Sequence, residues 1–349
     1  MAEALQEAAP GTELRFVGGR RGLEAELAAK AGIRFHATPL PSLRDPDSRI
    51  ALVAHLLLVP VAAADALIAL ARSRPDVALT SGSFSSLPVL FAARLLRIPI
   101  YLWVGDAVPG RALRALAGWS SEIGITFLPA LAFMPRDRAR VTGNPVRRSL
   151  LRWTRAEGRR ALGLAADAPV VLVTGGSQGA ERINSALFAA LSRLVRGATI
   201  VHHAGPAHIA KAQAQRALLP ESDRPRYQPY AYLHEEMGAA LAAADLVVGR
   251  AGSSSIAEPL AFGTPLILIP FGAAMNAHQA ANARAVAESG AAMVVTEGEL
   301  DGDRLAAVVA GLLADPARLA RMGAAARELG RPEAARVIAG DLLRLGGCT

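Results

Sequence analysis

Gly175-Gly176-Ser177-Gln178-Gly179 stands between an apolar, β-prone run, Val170-Val171-Leu172-Val173-Thr174, and residues with helical spacing, Ile183, Leu187, Leu191 and Leu194. Strand, glycine turn and helix N-terminus in that order make an anion site. Glycines let the backbone approach a phosphate, and the unpaired N–H groups at the positive end of the helix dipole favour it. Ser177 adds a hydroxyl donor, and the turn is expected to hold a nucleotide diphosphate. Two other readings stay open at this point. The turn can be a plain strand-to-helix connection. It also satisfies G-x-S-x-G, the nucleophile elbow of serine hydrolases, with an acid and a histidine following in suitable order, for example Glu258 and His278.

A second stretch repeats the pattern: Leu246-Val247-Val248-Gly249 runs into Arg250-Ala251-Gly252-Ser253-Ser254-Ser255 and then a helix carrying Glu258. Its N-terminus can face the same anion. Glu258 has two readings of equal weight, as the N3 residue of a capping box begun by Ser255 or as an acceptor for two ribose hydroxyls. A third stretch, Pro270-Phe271-Gly272-Ala273-Ala274-Met275-Asn276-Ala277-His278-Gln279, follows another apolar run and places Asn282 one helical turn further on. A histidine or glutamine at a helix start is commonly a cap or surface group. Three such strand ends alter that reading, because in an open parallel sheet they line one carboxyl edge, where ligands bind.

The elements that must position these residues follow from hydropathy periodicity and turn signals. The chain opens α, β, α, β: Met1–Ala9, Glu13–Val17, Leu23–Ala31 and Ile33–Leu40. A doubly wound domain normally opens with a strand, so the chain is expected to begin one element late. Ile50–Ala71 is apolar for about the length of a membrane span. Pro60 interrupts it, and Arg49 and Arg72 flank it evenly, so a buried or interface-lying helix is preferred to a spanning one. Further βα units follow, with strands at Asp76–Thr80, Pro99–Val104 and Ile123–Phe127. An Arg-rich helix, Arg152–Arg160, opens the second half, with strands near Val170–Thr174, Thr199–His203, Arg226–Pro229, Leu246–Gly249, Leu266–Pro270 and Met293–Val295.

The chain of 349 residues suits two domains, and 52% apolar with 5% aromatic residues suits helix-rich α/β architecture. One cysteine, Cys348, excludes a disulfide framework and a cysteine metal site. With no secretory signal at its start, the sequence has a cytoplasmic default. A formal net charge of +8, carried almost entirely by arginine, is compatible with phosphorylated substrates or an anionic membrane surface. Basic runs interleaved with aromatics are lacking, so nucleic acid is not expected as a partner.

Taken together, Gly175–Ala180, Thr142-Gly143-Asn144-Pro145-Val146-Arg147, Arg250-Ala251-Gly252 through Glu258, and His278-Gln279 resemble the MurG family of GT-B glycosyltransferases. Phe16-Val17-Gly18, Arg21-Gly22-Leu23-Glu24 and Ala107-Val108-Pro109-Gly110 extend the resemblance over nearly the whole chain. The resemblance implies an α/β GT-B fold, two Rossmann-like doubly wound parallel-sheet domains facing a cleft. It implies inverting transfer of N-acetylglucosamine from UDP-N-acetylglucosamine to a polyprenyl-diphosphate-linked muramyl peptide, with no metal and no cofactor. By that similarity Ser177 and Gln178 meet the donor diphosphate and sugar, with Arg147 nearby, and the backbone around Leu233 and His234 meets the uracil. Gly252 belongs to the second motif, Ser254 and Ser255 meet the phosphates, Glu258 the ribose, and His278 with Gln279 the N-acetylglucosamine hydroxyls. Two helix ends and an arginine would stabilise the charge growing on the departing diphosphate.

The departures fall in the first half. The family opens with a strand and a Gly-Gly-Thr-Gly-Gly-His type loop whose histidine is a favoured general base, and this sequence is expected to start after it. The family's His-Glu-Gln-Asn is Trp103-Val104-Gly105-Asp106 here, and its Gly-Gly-Tyr turn is Gly82-Ser83-Phe84. Asp106 is left as the candidate base. An alternative is a UDP-sugar-binding protein with little turnover. The expected domains are an acceptor and membrane-side domain over 1–148, a donor domain over 149–331, and a helix over 332–349 returning to the first. The Arg-rich, apolar first half is expected to dock peripherally on the anionic inner face of the cytoplasmic membrane.

Overall fold

The structure, a computed structural model, describes residues 1–19, 24–39, 49–82, 86–176, 179–234, 236–272 and 277–348. They form two compact units. The first comprises Met1–Gly105, Pro109–Thr142 and Ala334–Thr349, and the second Asp106–Val108 and Gly143–Glu333. The first division falls after Thr142 rather than after 148. The Thr142 N–H still bonds to Ile125 O (3.0 Å), whereas Asn144 turns its carboxamide oxygen to the Ser254 N–H (3.2 Å).

In the first unit, β1 (Arg15–Gly19) and β2 (Arg34–Thr38) make a parallel pair. Strands β3 (Ala78–Thr80), β4 (Ile100–Val104), β5 (Glu122–Ile125) and β6 (Ala139–Val141) make a separate parallel sheet in sequential order. The short β6 strand escapes hydropathy reading because two of its three residues, Arg140 and Val141, are exposed. The long apolar segment is one helix, Arg49–Ser73, continuing through Pro60. It buries Ala62, Ala66 and Leu70, the last two against Leu90, Ala93 and Ile100. No helix among the described residues is long and apolar enough to cross a membrane.

The last helix, Ala334–Leu345, belongs to this first unit, where Ile338, Ala339 and Leu342 pack with Leu5 and Tyr101. Its buried Asp341 accepts from the Tyr101 hydroxyl (3.1 Å) and pairs with Arg140. Arg344 forks onto Glu122 at 2.5 and 2.9 Å. Burial first, then the Asp341 charge, pushes the Tyr101 hydroxyl pKa up, so it stays a donor.

The second unit holds β7 (Val170–Thr174), β8 (Thr199–His203), β9 (Tyr227–Tyr230), β10 (Leu246–Gly249), β11 (Leu266–Leu268) and β12 (Ala292–Val294). They are parallel in the order β12-β11-β10-β7-β8-β9. Both faces are covered, so the strands read as unbroken apolar runs. Val171 and Val173 pack against Ile183, Leu187 and Leu191 of the Glu181–Leu194 helix. The register aligns Tyr230, His203, Thr174, Gly249, Leu268 and Val294 in one row across all six strands. Strand order reverses between β7 and β10, the crevice position where open α/β sheets bind ligands.

Candidate functional site

Just beyond that row β7 turns through Gly175 and Gly176 into the Glu181–Leu194 helix. Gly176 and Gly179 have φ of +85° and +77°, a left-handed backbone that glycine alone adopts freely. A Cβ on Gly179 would collide with the carbonyl oxygen of Ala204, and one on Gly175 with the backbone of Ala180. The turn is therefore tight against the exit of β8. Its depth is set by a buried chain: Tyr227 donates to His202 Nδ1 (2.8 Å), His202 Nε2–H to Asn184 Oδ1 (3.0 Å), and Asn184 Nδ2–H to Ala204 O (2.8 Å). Burial holds the His202 imidazole neutral, its pKa lowered to about 3. Ser177 and Gln178 lie outside the described residues.

At β10 the turn Arg250-Ala251-Gly252 leads to the Ser253–Ala261 helix, whose N-cap is Gly252. That corrects the capping-box reading. Ser255 is already inside the helix, so Glu258 is too far along to serve as N3, and no side-chain cap forms. Glu258 instead lies half-buried with no hydrogen-bond partner among the described residues. Burial raises its pKa, opposed by the Arg147 charge. Ser254 and Arg147 are exposed and Ser255 and Gly252 half-buried. An ionised carboxylate whose oxygens are free of partners among the described residues can accept hydrogen bonds from hydroxyls.

The third turn leaves β11 at Ile269 and reaches the Ala277–Glu288 helix. His278 donates from Nδ1 to Val108 O (2.7 Å), leaving Nε2 as an acceptor. Gln279 Oε1 accepts the Phe271 N–H (3.1 Å), so its Nε2 hydrogens remain to donate. Asn282, fully buried, accepts the Ala107 N–H (2.7 Å) and donates to Asp106 Oδ1 (2.9 Å) and Ala251 O (3.1 Å). Asp106 thus sits in the second unit, tied to the helix that bears His278 and Gln279. Because His278 Nδ1 meets a carbonyl and not Glu258, these two residues form no acid–histidine couple of a hydrolase triad.

On the far side of β7 the β9 exit carries Leu233, buried, and His234, exposed, whose N–H bonds to Glu236 Oε2 (3.2 Å). Tyr232 lies between rings, 4.3 Å from His234 and 5.3 Å from His203. Sequence reasoning assigned no role to Asn144, His202 or Asn184, each of which bonds a partner distant in sequence. Of these only Asn144 lies inside a motif that the sequence displays.

Residues 1–125 match the glycosyltransferase family 28 N-terminal domain and residues 170–338 its C-terminal domain. The chain is 37% identical over 349 residues to the UDP-N-acetylglucosamine--N-acetylmuramyl-(pentapeptide) pyrophosphoryl-undecaprenol N-acetylglucosamine transferase of Chlorobium luteolum, covering 99% of this chain and 94% of that one. The enzyme of the same description from Moorella thermoacetica is 37% identical over 351 residues, with 99% and 94% covered. Among solved structures, Acinetobacter baumannii MurG superposes with a TM-score of 0.77 at 23% identity, covering 98% and 94%. The UDP-GlcNAc 2-epimerase of Neisseria meningitidis bound to UDP-GlcNAc gives 0.66 at 15%, covering 99% and 96%.

Proposed function

The chain belongs to the MurG family, within glycosyltransferase family 28, and on that membership we propose that it moves N-acetylglucosamine from UDP-N-acetylglucosamine to a polyprenyl-diphosphate-linked muramyl peptide, with inversion. This is the lipid I to lipid II step of peptidoglycan synthesis. The observation that carries the donor half is the single row of strand ends, from which three polar turns leave on one edge, with Glu258 lacking a hydrogen-bond partner among the described residues.

In this reading Ser177, Gln178, Ser254 and Ser255 receive the diphosphate with Arg147, and Gly252 allows the close approach. Glu258 accepts from the ribose, and the backbone at Leu233 and His234 takes the uracil. The acceptor atom His278 Nε2 and the donor amide of Gln279 suit neighbouring sugar hydroxyls. The acceptor hydroxyl attacks the anomeric carbon while the bond to the β-phosphate oxygen breaks, its electron pair leaving with UDP. Asp106, steadied through Oδ1 by Asn282, takes the hydroxyl proton on Oδ2. Fixed donors at the diphosphate lower the barrier by stabilising charge that grows only in the transition state.

Membrane docking on the inner face is supported by the Leu87–Leu95 helix, which exposes Phe91 and Leu95 beside Arg94 and Arg97. Apolar side chains flanked by arginine suit an anionic lipid surface. The deciding experiment is transfer of radiolabelled N-acetylglucosamine to a lipid I analogue in anionic vesicles. Product is expected from UDP-N-acetylglucosamine, and tight UDP-sugar binding without product would refute the transferase assignment.

A further inference from the structure

We propose that Glu297 and Arg250 are positioning residues for sugar recognition, an ion-pair brace that fixes Phe271 and Gly272, the backbone to which Gln279 is bonded. The proposal rests on the donor reading above and deepens it. Arg250 leaves β10 in a position where an arginine invites assignment to the diphosphate. Both of its terminal nitrogens face other groups of the protein. Its NH2 group is 2.6 Å from Glu297 Oε1, its NH1 group donates to Ile269 O at 3.3 Å, and its guanidinium stacks 5.0 Å from the Phe271 ring centroid. The Arg250 side chain is only 10% exposed and that of Glu297 16%, so the pair is shielded from solvent.

Glu297, from the exit of β12, has a second task. Its Oε2 accepts the Gly272 N–H at 2.8 Å, while the preceding N–H, of Phe271, goes to Gln279 Oε1 at 3.1 Å. Two successive backbone amides are therefore captured by side chains from two different elements. One capture ties Gly272 to the exit of β12 and, through Arg250, to β10. The other fixes which end of the Gln279 amide is free. If the first capture is lost, Phe271 and Gly272 can shift, and the Gln279 carboxamide loses the anchor that presents its Nε2 hydrogens. A ligand sugar would register that loss, whereas a bare nucleotide, which does not reach Gln279, would not.

The test compares UDP with UDP-N-acetylglucosamine by calorimetry on the full chain. Removing one member of a shielded pair leaves the other uncompensated, so Glu297→Gln is expected to cost stability as well as binding. The variant Arg250→Leu with Glu297→Leu removes both charges together, which folded proteins commonly tolerate. In that double variant the UDP-N-acetylglucosamine Kd is expected to rise about tenfold while the UDP Kd changes by less than about twofold. Gln279→Ala is expected to weaken sugar binding similarly, and combining all three changes to add little, since both routes act through one amide. Amide hydrogen exchange at Phe271 and Gly272 is expected to accelerate in the double variant. Unchanged sugar binding, or equal weakening of UDP and the UDP-sugar, overturns the brace. A wild-type chain that fails to bind UDP-N-acetylglucosamine at all overturns the donor reading instead, and the brace with it.

Discussion

Burial weighs on Glu258, the carboxylate proposed above to accept from a ribose. Its carboxylate is half-buried with no hydrogen bond among the described residues, and burial raises its pKa above the ordinary value of 4.5. An acid with a raised folded-state pKa holds its proton longer when folded, so its contribution to stability declines as pH rises through the window above 4.5. Glu258→Gln is therefore expected to leave the melting temperature at pH 7.5 unchanged or raised, and to flatten its decline between pH 4.5 and neutrality. The same change should weaken UDP binding by about tenfold or more, as loss of a charged hydrogen-bond acceptor does. Thermal melts across pH and calorimetry check both halves. His202 has the opposite sign. Its folded pKa is about 3 against an ordinary 6.5, so its contribution is present above 6.5 and is lost as pH falls toward 3. His202→Met is expected to flatten the acid limb of a urea-unfolding series by up to about 1.4 kcal/mol per pH unit. Glu258 was legible from its place in a motif, although its capping alternative could be settled only by seeing that the helix starts at Ser253. His202 was not legible, since a histidine in an apolar strand shows nothing of the Tyr227 and Asn184 it joins.

Elements were read from the chain with more success where period and turn chemistry agreed. The strand Val170–Thr174, its glycine turn and the Glu181–Leu194 helix coincide with the apolar run, the glycines and the leucine spacing. The Arg155–Ala161 helix begins later than its arginines suggested, because Thr154 and Glu157 form a capping box there. The division after Thr142 depended on where a strand's hydrogen bonding ends, which hydropathy does not report. At the glycine turn the two left-handed positions should respond differently. Gly176→Ala meets no atom among the described residues and is expected to bear only the backbone penalty, about 1–2 kcal/mol. Gly179→Ala adds collision with Ala204 O, so it is expected to lower the melting temperature further and to abolish measurable UDP binding. Equal effects on melting and binding would show that the turn is not seated against β8.

For the molecule as a whole, the two Rossmann-like units were legible from βα alternation and the family resemblance. The side of the division that claims Asp106–Val108 was not. Its membership of the second unit rests on Asn282 and His278, some 170 residues away in sequence. The final helix offers a way to perturb one unit alone. Leu342→Ala, at the contact with Leu5 and Tyr101, is expected to cost about 2–5 kcal/mol of first-unit stability. Scanning calorimetry should show one transition moving down, while UDP affinity, proposed to reside in the second unit, stays unchanged. That helix also imposes an order on biosynthesis. Residues 143–333 leave the ribosome as one run and can collapse while the chain is still being made, whereas the first unit lacks Asp341 for Tyr101 and Arg140 until residue 341 emerges. The half that is translated first thus completes its contacts last, and until then the apolar side chains Leu5 and Tyr101 wait on the nascent chain for Ile338, Ala339 and Leu342.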